Sequence, residues 1–235
     1  MTGGVNKDGS SSPERLKAIE ENVKNLQEFT KYANAAGVNT GLWTQSNLSP
    51  DSNPETQWQK LRDFRQEVKT GGITTLKTDV AWVGEGYSFG LNGIKAAYDI
   101  VTQEAKVRPN IVTLDGWAGT QRFGSVWTGD QSGGNWEYIR FHIPTYIGQG
   151  LSGNPNIGSD MDGIFGGAPI IATRDYQWKT FTPQMLDMDG WGRHVKSPFT
   201  HGDPYTGISR MYLKLKAQLM PYLYTTAVSY THLRA

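Results

Sequence analysis

Apolar residues at Leu16, Ile19, Val23, Leu26 and Phe29 recur at spacings of three and four. That spacing puts them on one face of an α-helix. Ser12-Pro13-Glu14 supplies the start, with Ser at the N-cap and Pro at the first helical position. Gly37 is a natural stop, and the run VNTGLW (38–43) reads as a short strand. The order then repeats. After a Ser/Pro/Asn loop (46–55), residues 57–68 are helical by propensity and end near Gly71-Gly72, and ITTLKTD (73–79) is the next strand. Residues 92–104 are helical again, and NIVTLDG (110–116) is strand-like. Over 136–147 the pattern is helical, with Pro144 expected to kink or shorten it. GLSGNPNIGSD (150–160) is expected to start as a strand and end as a loop. Ile208, Met211, Tyr212, Leu215, Leu219, Tyr222 and Leu223 mark a long amphipathic helix.

Helix, glycine stop, strand, loop, helix is the grammar of a parallel α/β fold. No G-x-G-x-x-G joins a strand to a helix and no P-loop occurs, which leaves a (β/α) barrel. About five strand candidates, with long loops at 80–91, 116–135 and 158–205, predict a partial (β/α)8 TIM barrel rather than a whole one. The expected organisation is a flexible leader (1–12), an incomplete barrel (13–227) and a tail (228–235).

Composition acts mainly by exclusion. The 23 basic and 22 acidic residues leave a net charge of +1, which gives no electrostatic case for nucleic acid or an anionic membrane. The chain has no cysteine, so disulfides, Cys-zinc sites and a thiol nucleophile are out. His142, His194, His201 and His232 show no metal-ligand spacing, and no metal or other cofactor is expected. No apolar run approaches the ~20 residues of a membrane span. The polar start MTGGVNKDGSSS lacks the apolar stretch of a signal peptide. Twenty-eight glycines with 8 Trp and 11 Tyr suit sugar-stacking loops, and equally suit any loop-rich fold.

Barrel active sites sit at the C-terminal ends of strands, which here points to Trp43, Asp79, Asp115, Asp130 and Asp160. Asp79 closes TTLKTD, and Asp130 closes SVWTGD after a glycine. A carboxylate pair across a pocket suits retaining glycoside hydrolysis, which needs the two roughly 5–5.5 Å apart. An aspartate at a strand end also serves as a helix cap or an Asx-turn, and spacing leaves both readings open. Trp82 and Trp127 fit a core as readily as a sugar platform.

KTDVAW, GTQRFGSVWTGD and GLSGNPNIGSDMDGIFGG, in this order and at this separation, resemble the family 31 glycoside hydrolases, retaining α-glucosidases with related α-xylosidases and α-glucosyltransferases. GLWTQSNLSPD (41–51) is similar to the strand and loop before the family's nucleophile strand. SRMYLKLKAQLMPYLYT (209–225) is similar to its arginine-initiated helix leading to a PYLY motif. The resemblance covers roughly residues 15 to 227. It implies Asp79 as nucleophile and Asp130 as general acid/base. It places Lys77 and Trp127 at the sugar subsite; Trp43, Trp82 and Arg122 are further candidates for binding the substrate. Asp160 or Asp162 matches the acidic residue of the family's D-x-G-F segment, a support for the site, with Phe165 as an apolar wall. Lys77, as a nearby cation, would favour the ionised form of Asp79, and Trp127 and Trp82 would supply dry surroundings for Asp130.

Two departures stand out. Where many members carry an Arg-Ser pair upstream of the acid/base, this chain reads Leu114-Asp115-Gly116, so Asp115 is expected to bind sugar hydroxyls instead. The family's Arg-x-His segment has its nearest match in Arg193-His194, which makes His194 a candidate. DVAWVGEGYS, DGWAG and MLDMDGWG look closest to a bacterial branch acting on α-1,6- or α-1,3-linked glucans. The implied partner is an α-glucan or α-gluco-oligosaccharide, with no nucleic acid and no membrane span. The closing VSYTHLRA does not resemble the family's continuation and reads like translated adapter sequence. The family's barrel extends beyond both ends of the match, so the 235-residue chain alone is expected to fold poorly and to be inactive.

Overall fold

A computed structural model describes residues 12–44, 62–79, 87–188, 190 and 196–233. Expectations for 1–11, 57–61, Trp82 and His194 lie outside the described residues. The chain divides after Gly124 into two compact units.

Unit 1 opens with helix α1 (Pro13–Ala35), where the Ser12 hydroxyl accepts a hydrogen bond from Arg15 N at 3.3 Å and Pro13 takes the first turn. Strand β1 (Gly41–Thr44), helix α2 (Phe64–Lys69), strand β2 (Thr75–Thr78), helix α3 (Tyr87–Ala105) and strand β3 (Asn110–Thr113) follow. Asp63 caps α2 by accepting from Gln66 N at 3.1 Å. The strands pair in parallel, Leu42 beside Leu76 and Leu76 beside Ile111. Strand side chains alternate between faces. Leu76 and Ile111 join Val68 of α2 and Ile94, Ala97 and Val101 of α3 in one buried cluster, with Leu42 and Leu26 packed against it. Each fully buried Leu or Ile contributes about 1.5–3 kcal/mol, and slipping β2 or β3 by one residue would turn Leu76 or Ile111 outward. Register is therefore fixed by the helix-covered face. Trp43, Lys77 and Val112 share the next row and stand on the opposite face. Of the apolar stripe on α1, Val23 is buried and Leu26 packed, while Leu16 and Phe29 are exposed.

Unit 2 holds strand β4 (Ser125–Trp127), helix α4 (Trp136–Leu151), strand β5 (Ile157–Gly158), helix α5 (Pro169–Lys179) and helix α6 (Tyr205–Leu233). β4 and β5 pair in parallel, Val126 beside Ile157 and Trp127 beside Gly158. Val126 and Ile157 pack with Tyr146 of α4, and Trp178 of α5 closes over them. Three expectations need correction. Pro144 does not shorten α4, which runs past it to Leu151. Pro144 and Arg140, whose carbonyl loses its N–H donor, are both exposed, so the freed acceptor falls on the solvent side. The segment 150–160 does not start as a strand. It opens as the last turn of α4, and β5 comes only at Ile157. Finally, neither 116–135 nor 158–205 is one long loop, because the first contains β4 and the second α5.

Both units are parallel α/β, as expected for part of a (β/α)8 barrel. Among the described residues no helix is long and apolar enough to cross a membrane, and no group of His, Asp or Glu side chains could hold a metal ion.

Candidate active site

Asp79 follows directly on β2. Its N–H donates to Thr44 O at 2.9 Å, extending the β1–β2 pairing by one residue. Alternation then puts its side chain on the face of Trp43 and Lys77. There the Trp43 indole Nε1 donates to Asp79 Oδ2 at 2.6 Å, a short hydrogen bond. Trp43 is itself anchored from behind. Arg62 makes two bonds of 2.9 Å to the Glu67 carboxylate and gives a third, of 2.8 Å, to Trp43 O, with its guanidinium 4.4 Å from the centre of the Phe64 ring. The planar fork of arginine thus ties α2 to the end of β1.

Asp115 lies two residues beyond β3 and is 3% exposed. Its N–H donates to Thr113 Oγ1 at 3.2 Å. Its Oδ2 has no hydrogen-bond partner among the described residues. Burial pushes the carboxyl up from the ordinary aspartate range, and a Trp117 hydrogen bond pulls it partly back. Arg122, itself exposed, ends a 3-10 turn that begins at buried Thr120, with Nε donating to Gly119 O at 3.3 Å and its guanidinium 5.1 Å from the Phe123 ring centre.

In unit 2, Asp130 is exposed, three residues past the end of β4. The link to it is tightly held. Trp127 is 1% exposed, and its Nε1 donates to Asp160 Oδ1 at 3.0 Å. Thr128 N donates to Gly158 O at 3.1 Å, Thr128 Oγ1 lies 3.1 Å from His142 Nε2, and Gln131 Nε2 donates to Thr128 O at 3.0 Å. Gly129 then turns the chain at φ 88°, a conformation that favours glycine. Asp160 is buried, and its carbonyl accepts from Lys179 Nζ at 2.9 Å and from the Tyr138 hydroxyl.

Asp162 is built into the scaffold. Its Oδ1 accepts from Gly134 N at 2.6 Å, and its Oδ2 from Gly167 N at 2.8 Å and Ala168 N at 3.0 Å, at the start of α5. A helix N-terminus favours an anion there. Burial pushes the Asp162 carboxyl up, and the three amides pull it only partly back. The chain at Gly133 passes so close that a Cβ would stand 1.6 Å from Asp162 O. Phe165 is half-buried against Gly190.

The structure thus joins Trp43 to Asp79 and Trp127 to Asp160, and makes Asp162 a loop anchor. Sequence reasoning missed the polar layer beneath the unit 2 residues. Lys179 is fully buried and donates to Asp175 Oδ2 at 2.6 Å and to Ser159 O at 3.1 Å. Asp175 also accepts from Asp162 N at 2.9 Å and Trp178 Nε1 at 2.6 Å. His142 is fully buried between Tyr138 and Tyr146 on α4. The available signal was the four-residue spacing of Tyr138, His142 and Tyr146, three polar-tipped rings on one helix face.

The family model for the glycosyl hydrolases family 31 TIM-barrel domain matches residues 15–226. A probable glucan 1,3-alpha-glucosidase of Arabidopsis thaliana is 28% identical over 200 residues, 83% of this chain and 20% of that protein. Alpha-glucosidase 2 of Bacillus thermoamyloliquefaciens is 34% identical over 119 residues, 50% of this chain and 15% of that protein. The chain therefore spans a fifth or less of the length of these curated relatives. Among solved structures, a cycloalternan-degrading enzyme from Trueperella pyogenes shares the fold with a TM-score of 0.73 at 20% identity, covering 88% of this chain and 39% of that one.

Proposed function

Because the chain belongs to glycosyl hydrolase family 31 and carries residues of its TIM-barrel domain, we propose that it holds the catalytic carboxylates of a retaining α-glucosidase or α-glucosyltransferase. The observation that carries this reading is the Trp43–Asp79 hydrogen bond at the C-terminal end of β1 and β2, where barrel enzymes keep their chemistry. It fixes the orientation of one carboxylate on the face away from the helices.

In the proposed reaction the Asp79 carboxylate attacks the anomeric carbon of an α-glucosyl unit while Asp130 gives its proton to the glycosidic oxygen. The carbon–oxygen bond to the leaving sugar breaks and a glycosyl ester forms on Asp79. Asp130 then takes a proton from water or a sugar hydroxyl, which attacks the same carbon and frees Asp79. Hydrolysis and transfer differ only in that second nucleophile. Asp115, whose Oδ2 is buried without a partner among the described residues, would accept hydrogen bonds from sugar hydroxyls. Lys77, on the same face as Asp79, would contact the bound sugar or its nucleophile, and Asp160 and Asp162 would hold the acid/base loop from below. The relatives' names make α-1,3-linked glucans the first substrates to try, followed by α-1,6- and α-1,4-linked ones.

The test uses a polypeptide that carries this chain at the full length of its relatives. An epoxide or aziridine α-glucoside should label the peptide containing Asp79, and Asp79→Asn should lower turnover by about 10,000-fold or more with an unchanged circular-dichroism spectrum. Label on another residue, or turnover that survives the substitution, overturns the proposal.

A further inference from the structure

Thr128 stands two residues before Asp130, with only Gly129 between them. All three of its polar groups are engaged: the N–H on Gly158 O, the carbonyl on Gln131 Nε2, and the hydroxyl with His142 Nε2. The first ties it to β5, the second to its own loop, and the third to helix α4.

The His142 contact has a defined sense. His142 Nδ1 lies 2.7 Å from Tyr138 O, and a carbonyl only accepts, so Nδ1 carries the hydrogen. In the neutral ring Nε2 is then an acceptor, and the Thr128 hydroxyl must donate to it. Burial favours that neutral ring, because it pushes the imidazole down from its usual range. The ring cannot readily turn away, with Tyr138 4.2 Å and Phe141 5.1 Å from its centre. The helix that carries it is pinned on either side. One turn before, the Tyr138 hydroxyl donates to Asp160 O. One turn after, the Tyr146 hydroxyl pairs with Ser159 Oγ at 2.9 Å.

We propose that His142 is a positioning residue: by accepting the Thr128 hydroxyl proton it fixes the turn through Gly129 and so sets where the Asp130 carboxyl stands. The inference rests on Asp130 being the general acid/base. Misplacement by about 1 Å can cost on the order of 100-fold in rate, and a flexible surface loop gives an exposed carboxyl no such definition. A histidine that merely filled the core would support the fold without discriminating between substrates.

The experiment compares two substrates in the full-length protein. A disaccharide needs its leaving sugar protonated, whereas α-glucosyl fluoride releases fluoride without that help. kcat/KM reports the glycosylation step in both. Thr128→Val and His142→Leu should lower kcat/KM on the disaccharide by about 10- to 100-fold and on the fluoride by less than about threefold. Thr128→Ser and His142→Gln, which keep the donor and the acceptor, should restore most of the loss. Should His142→Leu fail to fold, Thr128→Val carries the comparison alone. Equal losses on the two substrates, or none, overturn the proposal. Nitrogen NMR at neutral pH should show His142 as the neutral Nδ1–H tautomer, and an Nε2–H tautomer overturns it independently of any activity. Asp130→Ala separates the two readings. If it produces the substrate split and Thr128→Val does not, only the positioning role fails. If Asp130→Ala leaves both rates unchanged, the acid/base assignment itself is wrong.

Discussion

Asp115 is 3% exposed, and burial pushes its carboxyl above the ordinary aspartate range of about 3.9. The folded state therefore holds this proton more tightly than the unfolded chain does. The sign follows: Asp115 favours the fold at pH below the unfolded value, and that contribution is lost as pH rises through the raised folded value. At neutral pH the buried carboxyl is therefore a cost to folding. Asp115→Asn should then raise the melting temperature at pH 7 by more than at pH 4, while lowering kcat/KM on an α-glucoside. Differential scanning calorimetry at the two values checks it, and an equal shift at both would contradict the assignment. How far such residues were legible varies. Asp79 and Trp43 could be placed at strand ends from the sequence. Their mutual bond could not, because it depends on Trp43 pairing with Lys77 across 34 positions. Asp115 was visible as a departure from the family pattern, but its burial only the fold supplies.

Two buried ammonium groups organise the segment from Ser159 to Gly163. Lys179 of α5 reaches Ser159 O and Asp160 O, and Lys196 reaches Met161 O at 2.9 Å and Gly163 O. Four of the five carbonyls that follow β5 are thus satisfied by lysines instead of a β-ladder. Burial pushes Lys179 down from its usual range, and the Asp175 carboxylate pulls it back up. Deleting one partner of such a buried pair typically costs about 3–5 kcal/mol. Lys179→Met should lose stability on that scale in urea unfolding, and the added Asp175→Asn should recover part of it. A loss below about 1 kcal/mol would show the pair to be dispensable. α5 was hidden from pattern reading for the same reason. Its buried positions include Thr173, Asp175 and Lys179 beside Ile171, Ala172 and Tyr176, so no apolar stripe marks it. Pro169 at its first turn was the remaining signal. α3 was legible because its buried face, Ile94, Ala97, Ile100 and Val101, is apolar, and α1 because its apolar residues keep helical spacing, although Arg15 and Thr30 are buried on it beside Val23. α4 was legible in place but not in length, since an exposed Pro144 leaves its lost hydrogen bond to water.

Across the molecule, titration should make stability fall early on acidification. His142 and His201 are both pushed down by burial, the first further by the Lys179 cation, while Asp175 and the Tyr138 carbonyl pull it up. Asp187 and Asp162 act against burial at His201. A histidine whose folded value lies below its unfolded value of about 6.5 stays neutral while the unfolded chain takes up protons. Stability is then lost as pH falls through about 6.5 towards the folded value. Asp115 and Asp162, both raised, act in the opposite sense. The histidines are the groups whose unfolded value lies nearest neutrality. The urea midpoint should decline between about pH 7 and 5, and His142→Gln, which keeps the acceptor for Thr128 but cannot titrate, should remove about one proton's share of that slope. His201→Gln should remove a smaller share, because His201 is half-buried where His142 is fully enclosed. A midpoint that stays level across this interval, or a slope that His142→Gln leaves intact, would mean that His142 takes up its proton as readily in the fold as in the unfolded chain.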